Sequence, residues 1–224
     1  MKITDITGPI KDGMWDFGFP GGKFKLKQLN YDFMGEEYRH EGFEGLVGST
    51  GTFIETGATA LGYDKSISVD KIPLEKLINV NAFILWIPLE TLKEKDGRKY
   101  VSLADIKNAE KDTILPGSAI LIGTGYDKKW FEEDYLVKSP FFKKDAFDYL
   151  LDKKPVIISS DFPSWENTLD LEGFLPRLYS SGVFPLVSVA NLENISSYRA
   201  KLTVLPIKVI GVCMCPARAV IIEE

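Results

Sequence analysis

Four uninterrupted apolar runs stand in the middle and second half of this chain, each bounded by turn residues. They are NAFILWIPL (81–89), GSAILIGTG (117–125), PVIISSD (155–161) and FPLVSVANL (184–192). Runs of this length and composition fit strands buried on both faces. Helical patterns lie between them. KKDAFDYLLDK (143–153) has apolar residues at 146, 147, 150 and 151, one face of a helix. Ser102 suits the N-cap of a helix through Lys107, with Asp105 three residues on in the capping-box position. A further helix is predicted around 171–181, and 72–77 reads as one helical turn opening at Pro73. The ends are richer in strands: 2–7, the alternating KFKLKQLN (23–30) with one wet face, 51–56, 200–212 and 217–224. Buried strands alternating with helices imply a partly parallel sheet, extended by antiparallel strands from the two ends. The expectation is a mixed α/β fold forming one domain over 1–224.

Composition narrows the function classes. At 224 residues, 45% of them hydrophobic, the chain can fold on a core alone. A net charge of −5 with both signs mixed along the sequence argues against nucleic-acid binding, which would need a basic stripe. No apolar run approaches the roughly 20 residues that span a bilayer. The opening MKITDITGPIKDGMW carries no apolar stretch of the signal-peptide kind. The expected location is the cytoplasm, with no membrane partner. Cys213 and Cys215 are too close for an ordinary staple and read as reduced thiols.

The candidate chemistry centres on STGTFIETGAT (49–59), a stretch of small residues and hydroxyls with one carboxylate, Glu55. The chain's single histidine, His40, lies in EEYRHEGF and reads as solvent-facing. A serine or threonine nucleophile therefore lacks an imidazole to activate it, and Gly48-Ser49-Thr50-Gly51 is not a Gly-x-Ser-x-Gly elbow. GFPGG (18–22) reads as a turn, since no phosphate-loop helix follows. Cys213-x-Cys215 could put both thiols on one side of an extended segment, as filler or as soft-metal ligands.

Taken in order, several short motifs resemble those of the cyclase family, the kynurenine formamidase-like metal-dependent hydrolases. They are DITGPIKDGMW (5–15), IPLEKLI (72–78), VSLADI (101–106), PGSAILIGTGYDKKW (116–130), SDFPS (160–164), ANL (190–192) and LPIKVIGVCMCPARAV (205–220). The resemblance runs nearly end to end. It implies a central mixed sheet with a barrel-like core flanked by helices, of the swivelling β/β/α type. It also implies hydrolysis of N-formylkynurenine-like amides in tryptophan breakdown, with zinc or manganese as cofactor, and assembly as a homodimer or homotetramer. Segments 131–142 and 183–192 are the expected subunit contacts.

The family's hallmark is a loop His-x-Gly-Thr-His-x-Asp-x-Pro-x-His that holds the metal. Gly51 and Thr52 match it here. Ser49, Phe53, Glu55, Gly57 and Thr59 stand at its His, His, Asp, Pro and His positions, while Leu175 and Val187 fall where the family has a further His and Glu. Neutral hydroxyls, an aryl ring and aliphatic groups are poor ligands, and one carboxylate does not hold zinc. No metal or other cofactor is therefore expected. The leading expectation is a metal-free homologue that retains a small-molecule pocket around Ser49, Thr52, Phe53, Glu55, Thr59, Leu175 and Val187, with Trp15, Asp161 and Arg218 as further ligand contacts and Trp165 as an aromatic wall. One alternative is an active hydrolase with a relocated site built from Glu55, Asp161, Cys213 and Cys215. The other is a structural or partner-binding protein whose old pocket is filled.

Overall fold

A computed structural model of the chain describes residues 1–223; Glu224, at the end of the last expected strand, lies outside the described residues. In chain order the strands begin with β1 (Lys2–Asp5), β2 (Lys25–Phe33), β3 (Glu36–Glu44), β4 (Phe53–Glu55) and β5 (Val80–Trp86). Next come β6 (Lys93–Lys95), β7 (Arg98–Val101), β8 (Ala119–Gly123), β9 (Phe141–Phe142) and β10 (Ile157–Ser160). The series closes with β11 (Phe184–Val187), β12 (Arg199–Pro206) and β13 (Met214–Glu223). The α-helices are α1 (Ala58–Leu61), α2 (Leu103–Ala109), α3 (Lys144–Asp152) and α4 (Leu175–Ser180).

The four apolar runs become β5, β8, β10 and β11, which lie side by side and parallel. Antiparallel β12, β13 and β4 carry the sheet round from β5 to β11, so the order β13-β12-β5-β8-β10-β11-β4 closes on itself through the β13–β4 pairing. β1 adds to the far end of β13. Closure leaves the barrel wall without a free edge. Alternation along each strand then sorts side chains into two cores. Ala82, Ile84, Leu121, Ile157, Leu186 and Leu202 fill the interior. Phe83, Leu85, Ile120, Ile122 and Ile158 face outward, beneath α2, α3 and the loops.

The helices expected after Ser102 and within 143–153 form where their signals stand, and the turn expected at 72–77 is a 3₁₀ turn over Leu74–Lys76. Ser102 Oγ accepts from the Asp105 amide, and the Asp105 carboxylate accepts from the Ser102 amide at 2.9 Å, a complete capping box. All four apolar positions of α3 are buried. No helix among the described residues is long and apolar enough to cross a membrane.

Four expectations need correction. The strand expected at 23–30 pairs with β3 into a two-stranded hairpin, exposed on both faces, with His40 on its second strand. The strand at 51–56 shrinks to three residues, because Gly51 takes a positive φ of 69°. The helix at 171–181 starts only at Leu175: the amides of Glu172, Gly173 and Phe174 instead donate to the Glu166 carboxylate. Segment 183–192, expected at a subunit contact, is almost wholly buried within the chain as β11 and the loop after it.

Candidate functional site

A cleft opens on the outer face of the barrel where β4 lies between β11 and β13. Ile54, Leu186 and Cys215 point into the barrel interior. Their neighbours Phe53, Val187 and Met214 therefore point out, as does Glu55, and all four line the cleft. Val187 pairs with Phe53 and Met214 with Glu55, so the four side chains are neighbours by register. Helix α4 forms one wall with Leu175 and Tyr179, which are four residues apart and share a helix face. Phe17, Phe19 and Trp165 add aromatic rings to the lining. The space between them is about 230 Å³.

The wall carrying Trp165 is fixed by a buried cation. Arg98, 5% exposed, donates to the carbonyls of Ser139, Glu166 and Ser164 at 2.6, 3.0 and 3.0 Å, and to that of Pro140 at 3.3 Å. Desolvation pulls its guanidinium below the usual arginine range. Four carbonyls, rather than a carboxylate, stabilise the charge. The aromatic side of the cleft is braced by ring contacts: Phe17 meets Phe53 edge-on with centroids 5.9 Å apart, and stacks on Phe19 at 5.7 Å.

Glu55 is the polar centre. It is 7% exposed, and Tyr179 Oη donates to Oε1 at 3.2 Å. Burial pushes its carboxyl above the ordinary carboxylate range, opposed by the Thr59 and Tyr179 hydroxyls. Burial and the adjacent Glu55 charge in turn push the Tyr179 phenol up. The other acid of the lining, Glu166, is already engaged by three backbone amides. No basic residue lines the cleft. These groups do not fit a divalent cation. One available carboxylate and neutral hydroxyls fall short of the three protein ligands a catalytic zinc uses. Among the described residues, no three His, Cys, Asp or Glu side chains converge as a metal site anywhere in the chain.

Five of the seven loop and helix positions singled out from the sequence thus meet in one cleft: Phe53, Glu55, Thr59, Leu175 and Val187. The other two do not reach it. Thr52 is turned into the fold, its Oγ1 accepting from the Gly8 amide at 2.8 Å and donating to the Ser188 carbonyl at 2.5 Å. Ser49 is buried with Trp15 around a void of only about 10 Å³. Trp15 itself packs against Trp130 and Tyr135 in the outer core.

Asp161 is fully buried away from the cleft. Its carboxylate accepts from the Thr124 and Gly125 amides and from Thr124 Oγ1 at 2.6 to 2.8 Å, which ties the turn after β8 to the turn after β10. Burial and the nearby Asp127 charge push it up to about 7 against those donors. Arg218 is exposed and pairs with Asp5. Cys215 faces the barrel interior, its Sγ 3.1 Å from the Ile207 carbonyl, while the half-buried Cys213 lies just before the strand. Burial pushes the Cys215 thiol up, away from the reactive thiolate. Glu55, Asp161 and the two thiols therefore form no common site.

Sequence reasoning missed Tyr179, Phe17, Phe19 and Met214. Tyr179 had a usable signal, since it sits one helical turn beyond Leu175. Met214 had one too, since it alternates with two cysteines on an extended segment.

Residues 4–167 match the sequence model of the Cyclase family, described as "Putative cyclase". The chain belongs to the Cyclase family. Solved structures agree with the family fold. An isatin hydrolase bound to the product analogue thioisatinate is 20% identical, with a TM-score of 0.80 over 100% of this chain and 92% of that one. Isatin hydrolase A from Ralstonia solanacearum is 15% identical, with the same TM-score and coverage. A structure described as a potential metal-dependent hydrolase with cyclase activity is 21% identical, with a TM-score of 0.75 over 100% of this chain and 99% of that one. At these identities the likeness carries the fold alone. No curated protein matches the chain.

Proposed function

We propose that this protein is a metal-free member of the Cyclase family, impaired in the family's hydrolysis, whose cleft binds a small molecule. The observation that carries the reading is the setting of Glu55: a buried carboxylate among Phe53, Leu175 and Val187 whose polar partners are two hydroxyls, while the cleft's other acid, Glu166, is held by three backbone amides. Metal-dependent hydrolysis uses a cation that activates water and polarises a carbonyl. A lone carboxylate cannot anchor that cation, and the aliphatic groups beside it give no general base. The remaining space of about 230 Å³ and its aromatic walls favour binding over a filled, purely structural pocket.

The test is direct. Purified protein is incubated with zinc or manganese, dialysed, and assayed for metal content and for turnover of N-formylkynurenine and isatin. The expected outcome is metal well below one ion per chain and hydrolysis no faster than buffer. Stoichiometric metal together with turnover would overturn the reading.

A further inference from the structure

We infer that the cleft takes an organic ammonium ion of about one-ring size, its cationic nitrogen seated on Glu55 and its apolar body against Phe17, Phe53 and Trp165. The inference rests on the small-molecule reading above and names the ligand's chemistry.

Charge comes first. Every acid near the cleft except Glu55 has its charge answered. Glu166 accepts from three amides, and Glu172 beyond it pairs with Lys143. Glu55 is 7% exposed and meets only hydroxyls, so the free protein holds a carboxylate site with no counter-ion. A buried carboxylate gains most from a charge-assisted donor. Anionic ligands are disfavoured, because the lining offers two carboxylates and no Lys, Arg or His.

The walls specify the rest. Ring faces attract cations, and aromatic cages around ammonium groups use this attraction. Phe17, Phe53 and Trp165 line the same cleft as the acid, and Phe17 packs edge-on against Phe53 and stacks on Phe19. The volume, about 230 Å³, falls below the roughly 300 Å³ at which drug-sized sites begin, which limits the ligand to a single ring or its aliphatic equivalent.

The probes are benzylammonium, benzyl alcohol and benzoate, titrated at pH 7.5 and matched ionic strength while backbone and indole amide signals are followed by NMR. Benzylammonium should bind roughly tenfold or more tighter than benzyl alcohol, the size of effect expected from one charge-assisted bond. Benzoate should not bind. Shifts should centre on Trp165, Tyr179 and the β4 amides. Glu55→Gln should bring benzylammonium to the level of benzyl alcohol. Equal binding of benzylammonium and benzyl alcohol to the unaltered protein would overturn the ammonium assignment while leaving the small-molecule reading intact. Retention of the preference in Glu55→Gln would overturn it in the same way. Failure of all three probes to bind would overturn both.

Discussion

Single residues do unlike work on either side of the barrel wall. Glu55 and Ile54 are adjacent in sequence, yet one faces a cleft and the other the apolar interior. Asp161 shows how a buried acid can serve structure. Its three donors knit two turns together, while burial and Asp127 hold its carboxyl near 7, above the roughly 3.9 of an unfolded chain. Between those values the folded chain keeps a proton that the unfolded chain has released. The stability from this group is complete below about pH 4 and is lost as pH rises through about 7. Asn at 161 is neutral throughout, so urea unfolding of wild type and Asp161→Asn between pH 4.5 and 8 isolates the effect. The wild-type advantage should shrink as pH rises; a pH-independent difference would contradict the assignment. The Asp-x-Pro-Ser motif was visible in the sequence, but not that its acid is spent on the Thr124–Gly125 turn, because that contact spans 36 residues or more.

Among the elements, the signals that matured best were local. The capping box at Ser102 and Asp105 and the apolar face of α3 need only neighbours three or four residues away. Helix α4 was drawn too long because the cause of its late start, Glu166, lies several residues upstream in an irregular loop. That loop is held to β7 by Arg98, which makes the arginine the anchor of the cleft's Trp165 wall. Arg98→Met removes four hydrogen bonds from the buried guanidinium to backbone carbonyls. Loss of even one hydrogen bond to a charged group costs about 1.5–3 kcal/mol, so denaturant titration should show destabilisation of at least about 2 kcal/mol. The indole signal of Trp165 should broaden or move in the same variant. A stability within about 0.5 kcal/mol of wild type would show that the wall stands without it.

For the molecule as a whole, closure of the barrel is the decisive event, and the β2–β3 hairpin lies outside it. Both hairpin strands are exposed along nearly their whole length. Replacing 27–42 by Asn-Gly, while keeping Leu26 and the Phe24–Phe43 contact, should change unfolding free energy by less than about 1 kcal/mol. It should also leave the probe titrations at the cleft unchanged; loss of the cooperative unfolding transition would show that the hairpin belongs to the barrel's folding unit. The sequence by itself determined the four buried strands of a partly parallel sheet and the two capped or amphipathic helices, because apolar runs and helical periodicity are local properties. It also pointed to Phe53, Glu55, Thr59, Leu175 and Val187 through family resemblance. Only the tertiary structure decided that Thr52, Ser49, Trp15, Asp161 and Arg218 stay out of the cleft and that Tyr179, Met214, Phe17 and Phe19 enter it. The reason is geometric. The two faces of a strand differ by one residue in the sequence, and what each face meets is set by the pairing of β4 with β11 and β13, strands that lie more than a hundred residues away.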